Sequence, residues 1–86
     1  MNWQEIRQHY SQNWLLIEAI EAHTEANKRV LDQIAVLDTF PDSMTAMQNY
    51  QAWRHAAPER ELYVVHTDRE ELEIYERRWI GVRGAR

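Results

Sequence analysis

The sequence predicts a small α+β domain, a four-stranded mixed or antiparallel sheet with two helices in the order α-β-β-α-β-β. Three observations lead there. The segment FPDS at Phe40 to Ser43 opens an apolar stripe at helical spacing. The segment RELYVVHT, Arg60 to Thr67, is aromatic and β-branched, as strands are. Between Trp14 and Phe40, two apolar clusters flank a polar middle. With 86 residues the chain has room for one core, so residues 1–86 are read as a single domain.

The first element is a short amphipathic helix. Asn2 followed by Glu5 is a capping-box start, and Trp3, Ile6 and Tyr10 share one helical face. Ser11, Gln12 and Asn13 then break the pattern.

The stretch from Trp14 to Phe40 supports two readings. As a helix, it sets Leu16, Ile20, His23, Asn27, Val30, Ile34 and Leu37 at gaps of four and three, with His23 and Asn27 interrupting the stripe. As strands, Leu15, Ile17 and Ala19 alternate with Leu16, Glu18 and Ile20, and Ile34 and Val36 alternate with Ala35 and Leu37. Helix propensity in Glu, Ala, Lys and Leu favours the first, and the polar centre HTEANKR favours a hairpin. Local physics leaves the two even.

The later elements are plainer. Asp42 and Ser43 offer N-caps for a helix from Asp42 to Ala57, with Ala46, Met47, Tyr50, Trp53 and Ala57 on its apolar stripe and Pro58 as its stop. The strand at Arg60 to Thr67 follows, and TDREE turns the chain into a last strand in ELEIYERRWIGV, with Leu72, Ile74 and Ile80 facing inward. Gly81 and Gly84 loosen the end, so residues 83–86 are expected to fray.

Two considerations favour the hairpin over Trp14 to Phe40. Without it the C-terminal strands would form a lone pair, which is marginal in water. In addition, Tyr10 to Trp14 with Leu15, the segment FPDS, and Glu61 to Val64 resemble the Y-x-x-x-W-[LV], Pro-capped helix and E-[LF]-Y-V pattern of short uncharacterised bacterial proteins built as helix, hairpin, helix and strands. The likeness covers about three quarters of the chain, is structural rather than chemical, and implies no activity. On this reading the strands before and after the second helix run parallel. One sheet face is expected to take both helices, through Met47, Tyr50 and Trp53 and through Trp3 and Ile6, leaving the other to water or a partner.

The chemistry in the sequence is sparse. There is no cysteine, hence no disulfide or thiolate zinc site. No apolar run reaches membrane-spanning length, and the start MNWQEIRQHY lacks the regions of a signal peptide, so the expected location is the cytoplasm. A net charge of −4 disfavours general binding to nucleic acid. The histidines have no i, i+4 metal spacing, although His66 and Asp68, with His9 or His23 brought near by folding, would be the site of a metal or enzyme alternative. The plainer reading of these strand-end residues is a turn, with Thr67 or Asp68 bonding the local backbone. Glu18, Glu21, Asp32 and Asp38 read as solvated strand faces rather than an acid and base pair, and Ser11, Ser43 and Thr67 lack nucleophile-elbow context.

Four of the ten basic residues, Arg77, Arg78, Arg83 and Arg86, follow the last of the fourteen acids, Glu76. With Trp79, the residues Arg77, Arg78 and Arg83 are candidates for an anion or weak single-stranded nucleic-acid contact, or for docking on the acids Glu18, Glu21, Glu25 and Asp32 of another copy. The leading expectation is a non-catalytic interaction or structural module without a cofactor, working as a homodimer, with Trp14, Tyr63, Tyr75 and Trp79 as interface candidates.

Overall fold

The computed structural model describes residues 1–75. Its elements are α1 (Trp3–His9), β1 (Trp14–Glu25), β2 (Lys28–Phe40), α2 (Ser43–Ala56), β3 (Leu62–His66) and β4 (Ile74–Tyr75). They form an α+β fold with one four-stranded sheet in the spatial order β3-β1-β2-β4, antiparallel throughout. Among the described residues no helix is long and apolar enough to cross a membrane.

Trp14 to Phe40 is a hairpin. Its two-residue connection places Ala26 at φ 49° and Asn27 at φ 67°, the positive pair that a type I′ turn needs to match the twist of its strands. Asn27 suits the left-handed region, whereas Ala26 carries a Cβ there. The helical stripe failed because its central positions are polar, and pairing satisfies the backbone while putting apolar residues on both sheet faces.

The hairpin is irregular along its length. Leu37 and Asp32 on β2 and Ile20 on β1 are extra residues in the ladder, marking three register shifts. Each shift exchanges the faces of the following side chains, so the apolar alternation does not run unbroken to the tip. Ile20, one of these extra residues, is left 58% exposed.

The two helices lie on opposite faces of the sheet, contrary to the expectation of a single covered face. Leu15, Ile17, Ile34 and Val65 pack with Trp3 and Ile6 of α1 on one side. Leu16, Phe40 and Leu62 pack with Ala46 of α2 on the other, rimmed by Tyr50 and Trp53. The run Leu15-Leu16-Ile17 is buried in full because successive strand residues point to opposite faces and each face has a helix over it. Met47 departs from its expected place and stands 42% exposed.

Both helices begin as read. The Asn2 side chain accepts from Glu5 N–H while Glu5 accepts from Asn2 N–H, each at 2.8 Å, which closes the capping box of α1. Asp42 Oδ1 accepts from Thr45 N–H at 2.8 Å and caps α2.

The C-terminal part corrects the expectation further. Residues 71–73 are not a strand, and the described part of β4, Ile74–Tyr75, pairs with Lys28 and Arg29 of β2 rather than returning beside β3. Between β3 and β4 the chain crosses the α1 side of the sheet, where Leu72 packs against the core. Three donors from α1 secure the crossing: Trp3 Nε1–H to Arg69 C=O at 2.9 Å, Gln4 Nε2–H to Glu70 C=O at 2.7 Å, and Arg7 Nε–H to Thr67 C=O at 3.0 Å. Thr67 and Asp68 turn the chain, as Arg69 N–H bonds His66 C=O, but carbonyls bound to a helix face cannot join a β3 hairpin, so the segment runs on as a strap. Ile80 and residues 83–86 lie outside the described residues.

Candidate functional site

The sheet has edges of different character. At the β2 side, Met1 pairs with Ile34, whose N–H donates to Met1 C=O at 2.8 Å, and β4 covers Lys28 and Arg29. The far half of β1 carries Glu21, His23 and Glu25, charged or polar side chains of the kind that discourage edge pairing. The outer edge of β3 has neither device: among the described residues no strand lies beside it, and Tyr63-Val64-Val65-His66 contains no Lys, Pro, acid or bulge.

The hydrogen-bond directions of β3 follow from its pairing with β1. Ala19 N–H donates to Glu61 C=O at 2.9 Å and Thr67 N–H to Asn13 C=O at 3.1 Å. Along this ladder Val65 stands opposite Leu15 and Tyr63 opposite Ile17. Period-2 alternation therefore turns the N–H and C=O of Glu61, Tyr63, Val65 and Thr67 toward β1, and those of Leu62, Val64 and His66 outward. His66 C=O is engaged by Arg69 N–H at 3.1 Å, and its second lone pair remains.

Apolar hollows flank this edge. One of about 230 Å³ lies on the α2 side, lined by Met47, Tyr50, Leu62, Tyr63 and Val64. A second, of about 280 Å³, includes Trp14, Tyr63, Val65, Arg69, Leu72 and Ile74. Two of the interface candidates read from the sequence, Trp14 and Tyr63, thus meet in one hollow. Tyr75, 60% exposed, lies at the opposite edge of the sheet with Lys28 Nζ 5.6 Å from its ring. Trp79, Arg77, Arg78 and Arg83 lie outside the described residues.

The start of β3 is held by ion pairs that sequence reading missed. Arg60 grips the Glu18 carboxylate, with Nε at 2.8 Å and Nη2 on the other oxygen, and its guanidinium lies 4.7 Å from the Trp53 ring. Hydrogen bonding from Arg60 holds the Glu18 carboxyl below its ordinary range. Arg29 makes a two-pronged pair with Glu61, and the Tyr63 hydroxyl donates to the same carboxylate at 2.6 Å. Arg29 chiefly lowers the Glu61 pKa, while burial, then the Glu61 bond, pushes the Tyr63 phenol up. Partners 32 to 42 residues apart leave no local signal in the sequence.

The acids proposed to receive another copy's arginines are thus partly occupied at home. Glu18 belongs to Arg60, and Asp32 and Glu25 bracket His23 at 2.6 Å from Nδ1 and 2.5 Å from Nε2.

His66 and Asp68 form a local turn. Asp68 N–H donates to His66 Nδ1 at 3.0 Å, so in this geometry the neutral ring carries its proton on Nε2, while the Asp68 carboxylate stands 3.7 Å from Nδ1. The His66 ring packs edge-on to Trp14 at 4.9 Å between centroids. Among the described residues no group of three or more His, Cys, Asp or Glu side chains is placed to hold a metal ion. Thr67, fully buried, was read as a mere turn residue. Its hydroxyl accepts from Asn13 N–H at 3.1 Å and its carbonyl from Arg7, which locks the end of β3 to both β1 and α1.

No protein-family model matches the chain, and no curated protein or solved structure matches it.

Proposed function

We propose that this protein is a non-catalytic interaction module that works by strand addition, offering the outer edge of β3 to an extended segment of another chain. The observation that carries this reading is the row of outward main-chain groups at Leu62, Val64 and His66, set between two apolar hollows. In strand addition, main-chain hydrogen bonds supply affinity and alternate side chains seat in pockets on either side. Trp14 and Tyr63 contribute large rings to one such pocket, and aromatic residues are favoured at the centres of interfaces.

Proline at position 64 tests the reading. The Val64 N–H points away from β1, so Val64→Pro deletes an outward donor and leaves the internal ladder intact. The expected result is an unchanged far-ultraviolet circular dichroism spectrum with loss of strand binding. The probe is a fluorescent synthetic peptide copying Glu59 to Arg69, followed by anisotropy. Wild-type chain that ignores this peptide at millimolar concentration would end the reading.

A further inference from the structure

The strand most suited to this edge is the edge itself. We propose that β3 pairs with β3 of a second copy, antiparallel about a twofold axis at Val64, to join two sheets into one of eight strands. This rests on the strand-addition reading above and names its partner.

The outward groups are symmetric about Val64. A twofold axis there sets Val64 against its own copy and Leu62 against His66, so every outward residue meets an outward residue in a hydrogen-bonded pair. A register centred between two residues would put outward-facing groups against inward-facing ones, and one centred on Tyr63 or Val65 would leave His66 or Leu62 without an outward partner in the strand. On the α1 side, Tyr63 stands opposite Val65 of the second copy, an aromatic and β-branched pairing of the kind that stabilises adjacent strands.

Charge agrees with the same register. The flank before β3 carries Glu59 and Arg60, and the flank after it carries Asp68 and Arg69. Antiparallel pairing about Val64 brings the flank that carries Glu59 near the flank that carries Arg69, at both ends of the joint. Glu59 and Arg69, both exposed, thus approach with opposite signs, whereas Arg60 is already held by Glu18.

Exposed apolar surface lies beside the joint. Met44 and Met47 of α2 are 72% and 42% exposed, and Met47 lines the hollow beside Leu62 and Val64. A second copy brings its own α2 to the same side of the extended sheet, where flexible Met side chains can cover one another.

Sedimentation equilibrium over a wide concentration range, combined with disulfide trapping, tests the proposal. A reversible dimer is expected, with its dissociation constant raised about tenfold or more by Val64→Pro, which removes two symmetry-related bonds. Air oxidation of Val64→Cys should trap a covalent dimer, whereas Gln33→Cys on β2 should not. Glu59→Arg and Arg69→Glu should each weaken the dimer at low salt, and the double variant should restore it; both positions are exposed, so neither threatens the fold.

A monomer at every concentration overturns the second-copy proposal, as does a dimer indifferent to Val64→Pro or to the charge swap. Binding of the Glu59 to Arg69 peptide by such a monomer would leave the strand-addition reading standing. Absence of both dimer and peptide binding would remove the two together.

Discussion

Arg29 on β2 reaches past β1 to hold the carboxylate of Glu61, with Nε 2.8 Å from one oxygen and Nη2 2.9 Å from the other. The pair ties the hairpin near its tip to the start of β3, and Tyr63 completes it from below. Both partners are about 30% exposed, which places the pair between a screened surface bridge and a buried one.

Glu61→Gln should therefore cost about 1 kcal/mol at neutral pH, measured by urea unfolding. Because the folded-state pKa of Glu61 is lowered, its contribution is fully present above the ordinary value of 4.5 and is lost as pH falls through the depressed one. The variant should show a shallower loss of stability on acidification than the parent. An unchanged acid slope would show that the pair is too well solvated to matter.

His23 should give the opposite sign. Asp32 first, then Glu25, raises its pKa above 6.5, so the imidazolium and its two carboxylates support the hairpin below that value. The support fades as pH rises through the raised pKa. Proton NMR of the His23 ring should give a midpoint above 6.5, lowered by Asp32→Asn and by Glu25→Gln, with the larger effect from Asp32. A midpoint unmoved by both substitutions would refute the bracketed arrangement.

The hairpin tip invites stabilisation. Ala26 occupies a left-handed conformation that disfavours a Cβ, and Asn27 follows it at φ 67°. Ala26→Asn together with Asn27→Gly supplies the sequence most favoured in a type I′ turn and should raise stability by about 1 kcal/mol, seen as a higher melting temperature. Ala26→Val, β-branched at the same φ, should lower it.

Much of this architecture was legible because it is locally encoded. Asn2 with Glu5, and Asp42 after Pro41, announced both helix starts, and the polar centre of HTEANKR marked the hairpin turn. The opposed placement of the helices was implicit in Leu15-Leu16-Ile17: three consecutive buried strand residues require cover on both sides, a consequence not drawn from the run itself. The path of Thr67 to Glu73 was not legible, since it depends on Trp3, Gln4 and Arg7 donating to main-chain carbonyls, which carry no residue identity. The same holds for the β3 edge. LYVVH announced a strand, but its having one neighbour among the described residues follows from β4 pairing across the sheet with β2.

Trp3 offers a direct check on that path. Trp3→Phe preserves an aromatic ring in the core but deletes the Nε1–H bond to Arg69 C=O, and should cost about 1 kcal/mol. Hydrogen exchange should show faster opening at residues 67–73, with β1 and β2 little changed. Uniform acceleration across the sheet would instead make the strap part of one cooperative unit.

The strap also fixes an order of events at the ribosome. Helix α1 is synthesised before the strap, and its side-chain donors find their carbonyls 60 to 66 residues later, so the module cannot close until Glu70 has emerged. Until then the nascent hairpin exposes part of its α1 face, a window in which chaperone capture competes with completion of the fold.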